Sequence, residues 1–252
     1  MIGHLYEELY CCFSEISDFP HMAHFVAMKG EYFDTNEKRL MLVGRSVNGW
    51  GSLTASSAEE FGMAAESQFT DLSRWSGWVD DKEGRMYSKN DPSYSLDRSP
   101  FWAYSKEVFN RISGSAVKNT GIWMENIVWS NLYKVSPPHG GNPSNNLLFK
   151  QNDICRKILE CEIAELRPTH ILFMTGYDWI YPFQSIFDTL DFWGKNKNRG
   201  NNKTEHYVEG KASIDGIPVV ITCRPEYRDK TKFVEQVMRG FDNGDADESG
   251  GI

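Results

Sequence analysis

The sequence predicts an α/β fold, a three-layer α/β/α sandwich around a short, mostly parallel central sheet. Four apolar runs, "RLMLVG", "NIVWSNLYKV", "THILFMTG" and "IPVVIT", are short and lead into glycines or polar loops. Strands buried on both faces read this way, as continuous apolar runs rather than alternating ones. Between them lie longer segments with helical spacing, and that alternation builds a parallel sheet covered by helices on both sides. With 252 residues, 40% of them hydrophobic, the chain can remove most of its unfolded surface from water. One domain is expected over residues 1–240, followed by an acidic tail, 241–252. The stretch "DNGDADESGGI" holds four acids and no bases and reads as a solvated, disordered end.

In chain order, "LYEELYCCFSEI" places Leu5, Leu9, Cys12, Phe13 and Ile16 on one helical face. A second short helix over "HMAHFVAMKG", closed by Gly30, completes a helical N-terminal extension over 1–30. "RLMLVG" is the first strand. Residues 51–97 read as a long insertion with one helix; they hold a small-residue stretch, Trp75, Trp78 and the turn-rich "KNDPSYS". "SPFWAYSKEVFNRI" starts a helix with Ser99 as N-cap and Pro100 at the first helical position. "NIVWSNLYKV" is the second strand, closed by the loop "SPPHGGNPSNN". In "LLFKQNDICRKILECEIAELRP", Leu147, Leu148, Ile154, Ile158, Leu159 and Ile163 recur at helical spacing until Pro168 stops it. "THILFMTG" is the third strand, with a helix from about Trp179 to Leu190 after it. "HYVEGKASIDGIPVVITCRP" predicts a hairpin turning at Asp215-Gly216, its second arm the last core strand. "DKTKFVEQVMRGF" is a closing helix.

The net charge of −8 argues against a protein that coats nucleic acid nonspecifically, while leaving room for a local basic face. No apolar run approaches the ~20 residues needed to cross a bilayer. The N-terminal stretch carries acids and no basic lead, unlike a signal peptide. Five scattered cysteines fit the reduced thiols of a cytoplasmic protein. His21 and His24, downstream of Cys11 and Cys12, match no standard zinc spacing. Neither a metal nor a cofactor is expected.

Ligands of parallel sheets bind beyond the carboxyl ends of the strands. The loops with Gly44-Arg45-Ser46, Asn131, Gly176 and Arg224 should therefore share one rim. In that order these loops resemble the uracil-DNA glycosylase superfamily. The strongest part is "IVWSNLYKVSPP" followed by "NDICRKILECEIAELRPTHILFMTG", similar to the iron–sulfur branch: a strand ending in Asn and Lys, a Pro-rich loop, a helix with an internal Cys, then Arg-Pro, an apolar strand and Gly. "VGRSVNGWG" stands where the first motif belongs, "SPFWAYSKEVFNRI" is similar to the Pro-Phe segment, and "TCRPEYR" takes the place of the last motif. The resemblance spans about Leu40 to Val237.

Departures from the family pattern are specific. Where hydrolytic branches orient water with an acid or Asn, this loop has Arg45, Ser46 and Asn48. Where they place His against the departing base, Arg224 stands. Cys155 matches one cluster ligand, but the residue beside Lys134 is Val135, so no iron–sulfur cluster is expected.

The resemblance implies that an extruded base is held and its N-glycosidic bond hydrolysed, on a modified base if not on uracil. Asn131 would read the base edge with its amide, or else cap its own turn. Phe101 would stack on the base, a contact of ~1–3 kcal/mol, or else be a core ring. Gly44 and Arg45 would complete the substrate-binding set. Arg224 would offset charge on the departing base, bind a phosphate, or pair with Glu226. Asn48 and Ser46 would position water, with Glu226 as substitute carboxylate and Asp97 and Asp91 as further candidates. Lys134, Lys195, Lys197, Arg199 and Arg228 would contact a nucleic-acid backbone, DNA in preference to RNA, unless the loop "GKNKNRGNNK" is merely solvated. A non-catalytic module that keeps the base pocket, and a hydrolase of free nucleosides, are the competing expectations.

Overall fold

The computed structural model describes residues 2–16, 19–46, 55–70, 78–80, 86–88, 95–114, 123–138, 141–193 and 206–242. From the N-terminus come α1 (Ile2–Cys11), β1 (Ala23–His24), β2 (Met28–Lys29), β3 (Leu40–Ser46), α2 (Ala58–Thr70), β4 (Trp78–Asp80), β5 (Met86–Ser88), α3 (Pro100–Ser113), β6 (Val128–Tyr133) and β7 (Val135–Ser136). There follow α4 (Asn145–Leu166), β8 (His170–Phe173), α5 (Tyr177–Ile180), β9 (Thr189–Phe192), β10 (Val208–Ile214), β11 (Ile217–Thr222) and α6 (Lys230–Asp242).

Seven strands form the central sheet in the order β2-β6-β3-β8-β11-β10-β9. The four apolar runs are its centre: β6, β3, β8 and β11 pair parallel. β2 and β10 run the other way, and β9 pairs antiparallel with β10. Each central strand is buried on both faces. On β3, Met41 and Val43 pack with Phe61 of α2 and Ile158 of α4, while Leu40 and Leu42 pack with Trp102 of α3 and Phe233 of α6. Alternation of side chains along the strand divides them between the two layers, giving the expected three-layer α/β sandwich.

The local signals behave as the residues dictate. Ser144 caps α4, its Oγ accepting from the Leu147 N–H at 3.3 Å, and Arg167 ends it in the left-handed region at φ 49° just before Pro168. Ser99 and Pro100 open α3. Asp215 (φ 49°) and Gly216 (φ 74°) turn the β10–β11 hairpin. Positive φ at both central residues is what a two-residue hairpin turn needs.

Three expectations are corrected. Residues 21–30 form β1 and β2, not a helix. Phe25, Val26, Ala27 and Met28 are all buried, Val26 in one core layer and Phe25 and Met28 in the other, which one helical stripe cannot do. Secondly, the segment after β8 is helical only over α5 and the 3₁₀ turn Tyr181–Ile186. Pro182 offers no N–H to continue the α-helix, and Thr189–Phe192 joins the sheet edge instead. Thirdly, α1 buries Ile2, Tyr6 and Leu9 and leaves Leu5 half-buried; the helix ends at Cys11, and in the turn after it Phe13 is buried and Cys12 exposed.

Among its described residues the insertion holds one α-helix, α2, as expected, and a β4–β5 strand pair that was not expected. Trp75 lies outside the described residues, as does the tail beyond α6. Among the described residues no helix is long and apolar enough to cross a membrane.

Candidate functional site

The chain leaves β3 for β6 on one side and leaves β8 for β11 on the other. The crevice between β3 and β8 is thus a topological switch point, where ligands of open α/β sheets bind. A cleft of about 340 Å³ lies there, lined by Gly44, Arg45, Ser46, Phe101, Asn131, Arg224 and Glu226 among others. That volume falls in the ~300–1,000 Å³ range of small-molecule sites. All four expected substrate-binding residues meet in it, with three of the four catalytic candidates; Asn48 lies outside the described residues.

Asn131 is supplied by β6 and stands directly across the ladder from Gly44. Asn131 is 2% exposed, and its Nδ2 has no hydrogen-bond partner among the described residues. A buried amide left this way costs on the order of 1–3 kcal/mol, so the fold holds an unsatisfied donor at the cleft. Gly44 makes the geometry possible: a β-carbon there would stand 2.3 Å from Asn131 Oδ1 and 3.6 Å from Phe101 Cε2.

Phe101 comes from the first turn of α3, half-buried. Its backbone oxygen accepts from Ser105 Oγ at 2.7 Å, and its ring meets Trp102 edge-on with centroids 4.9 Å apart. Trp102 in turn meets Trp129 edge-on at 5.1 Å. Trp129 and Met174 also line the cleft. Neither was expected from the sequence, although Trp129 lies two residues before Asn131 on a strand and so shares its face.

Arg45 leaves β3 at the rim. Its Nε donates to the Thr175 carbonyl at 2.5 Å, and its guanidinium lies 5.0 Å from the centroid of the Trp179 ring. Nη2 sits 3.2 Å from where a β-carbon on Gly176 would be, and Gly176 holds φ +77°. Burial brings the Arg45 pKa down to about 10, and the Arg224 charge adds to the effect against Glu226, Glu209 and Asp178. Arg45 stays charged at neutral pH.

Arg224 and Glu226 form a forked pair. Arg224 Nε donates to both carboxylate oxygens at 3.0 Å, and Nη2 also reaches Oε1. The ion-pair alternative weighed for Arg224 is therefore realised. Both side chains are partly exposed, so the pair adds little to stability. Its importance is local, because it neutralises one of the two guanidiniums on the cleft. Behind it, Tyr104 donates from its hydroxyl to the Arg228 carbonyl at 2.6 Å and fixes the loop.

Lys134 requires a correction. It does not reach the surface and cannot touch a nucleic-acid backbone. Its side chain is 0% exposed, with Nζ donating to Glu162 Oε1 and to Ser130 Oγ at 2.7 Å each. Tyr6 OH and Ser130 Oγ donate to the same carboxylate at 2.8 and 2.6 Å. The physical reason is that Lys134, in the bend between β6 and β7, turns inward to a carboxylate that α4 carries on its buried face. Lys195, Lys197 and Arg199 lie outside the described residues. Arg228 is exposed, its guanidinium 5.9 Å from the Tyr207 ring centroid. Asp97 does not line the cleft and lies 3.9 Å from Lys106 Nζ; Asp91 is outside the described residues.

Cys155 is fully buried, its thiol pushed up to about 12 mainly by burial and donating to Gln151 Oε1 at 3.4 Å. His24 is enclosed by Phe19 and Phe61 rather than facing a ligand set. Among the described residues no three His, Cys, Asp or Glu side chains group to hold a metal ion. In comparisons with known proteins, no family model and no curated sequence matches this chain.

Proposed function

We propose that this chain is a uracil-DNA-glycosylase-like protein that takes an extruded base into the cleft and hydrolyses its N-glycosidic bond. The observation that carries this reading is convergence. Gly44, Phe101, Asn131 and Arg224 come from four distant segments, and all line one cleft at the carboxyl ends of parallel strands. Phe101 offers a ring face for stacking, and Asn131 offers an unsatisfied amide for a Watson–Crick edge. Water adds to the sugar carbon as the C–N bond breaks. The base leaves with the electron pair and takes up the proton the water gives up, and Arg224 offsets its transient charge once its fork with Glu226 opens. Ser46 and Glu226 are the described groups placed to hold the water. The altered first and last motifs suit a modified base better than uracil. A DNA partner and a cytoplasmic setting belong to the same proposal, and five free thiols suit the latter.

One observation favours a second reading, a binding module that keeps the pocket without the chemistry. Glu226 has both oxygens engaged by Arg224, so the group meant to orient water is already occupied. Oligonucleotides carrying uracil, hypoxanthine or modified pyrimidines, scored for abasic sites, separate the two. A glycosylase produces abasic sites on at least one member, and Asn131→Ala lowers that rate about 100-fold. Binding without cleavage supports the module; a wild-type protein that binds none of the oligonucleotides overturns both readings.

A further inference from the structure

We propose that the ligand of this cleft carries an oxyanion, a phosphate or a carboxylate, and that Arg45 selects for it. The inference rests on the cleft being a base site and adds the charge of what enters.

The two guanidiniums on the cleft are not equivalent. Arg224 is neutralised by the fork of Glu226. Arg45 makes one hydrogen bond among the described residues, from Nε to a backbone carbonyl, and its terminal nitrogens have no carboxylate within 4.0 Å among them. The nearby Glu209 is buried and accepts from the Tyr177 N–H at 2.8 Å. The cleft therefore presents one guanidinium whose terminal donors no described carboxylate engages, while Glu226, Glu209 and Asp178 act on its charge from farther away.

Its presentation is organised. The cation–π contact with Trp179 and the bond from Nε to the Thr175 carbonyl hold the guanidinium in place. The remaining donors are the parallel pair that matches two oxygens of a carboxylate or phosphate. A β-carbon on Gly176 would stand 3.2 Å from Nη2 and 3.6 Å from Glu209 Oε2, so the glycine keeps the gap between them clear. Asn131 lines the same cleft, and its buried Nδ2 has no hydrogen-bond partner among the described residues. Two donors without partners call for a ligand rich in acceptors. Burial and the Arg224 charge weaken the hold of Arg45 on its proton, and a bound anion relieves both.

The test titrates the full chain with uridine, uridine 5′-monophosphate and orotate, read by calorimetry at low salt. The monophosphate or orotate binds about 10- to 100-fold tighter than uridine, the range of a charge-assisted hydrogen bond. Tighter monophosphate binding identifies a phosphate, and tighter orotate binding a carboxylate on the ring. In Arg45→Gln the ratio of anionic to neutral affinity falls to near one, and Arg45→Lys restores part of it. Should Arg45→Gln fail to fold by circular dichroism, added salt takes its place, since the wild-type ratio must then fall. Equal affinity for all three ligands, or a ratio unmoved by Arg45→Gln, or by added salt where that variant does not fold, overturns the inference while leaving the base site standing. A wild-type protein that binds none of the three, uridine included, counts against the base site itself.

Discussion

Gly44→Ala is the smallest change that should disable the cleft. The backbone at Gly44 lies outside the left-handed region, so a methyl group brings no conformational strain. What it brings is a collision, because the new β-carbon would stand 2.3 Å from Asn131 Oδ1. An ordinary carbon–oxygen contact needs about 1 Å more, and overpacking a tight wall costs ~1–3 kcal/mol. The amide withdraws, and a displacement of about 1 Å in a positioning group costs about 100-fold, or ~2.7 kcal/mol. Single-turnover cleavage, or ligand affinity if the protein only binds, reads the loss. The melting temperature falls by about 2–12 °C, at ~2–4 °C per kcal/mol for a chain of this size. A Gly44→Ala protein within threefold of wild type refutes the reasoning, since Asn131 would then be free to move without consequence.

Two further predictions concern stability. His24 is held down to about 4 by burial, with its Nδ1 accepting the Ala55 N–H at 2.9 Å. Below about 6.5 the unfolded chain takes up a proton that the native state refuses, so stability falls as the pH drops toward 4 and levels off beneath it. The loss is on the order of 3 kcal/mol. Urea unfolding between pH 7 and 4.5 shows it, and His24→Phe should remove that part of the slope; an identical slope in both proteins refutes the assignment. Lys134→Met strands the Glu162 carboxylate in the core and costs about 3–5 kcal/mol, whereas Lys134→Met with Glu162→Leu recovers most of it. Equal losses in the single and double variants would show that the ion pair is not the unit being broken.

Much of this molecule is legible in its sequence, and the rest is illegible for identifiable reasons. The four central strands announce themselves because burial on both faces demands continuous apolar runs, and the hairpin at Asp215-Gly216 because two left-handed residues are rare. Rim residues follow from the carboxyl ends of parallel strands, which is why Gly44, Arg45, Asn131 and Arg224 are expected together, whereas Phe101, in the first turn of α3, is expected only from the resemblance. "FVAM" misled because a short apolar run fits a helix or an extended segment crossing between layers, and only its pairing with β6 decides. Lys134 misled because a lysine signals solvent by default; its partner Glu162 lies 28 residues away on α4, and nothing local discloses it. Met174 was missed because its place at the cleft depends on β8 lying beside β3, where its N–H donates to the Val43 carbonyl at 3.0 Å.

The interleaved strand order has a bearing on how this protein must be handled. Each wall of the cleft belongs to a different stretch of chain, and the last, bearing Arg224, follows the final strand to enter the sheet. No fragment ending before β11 can hold the complete cavity. Such long-range closure makes for slow folding, and a ligand that recognises the finished cavity will raise the melting temperature of the entire chain with the logarithm of its concentration above Kd. Thermal-shift screening of nucleotides thus doubles as an assay of correct assembly.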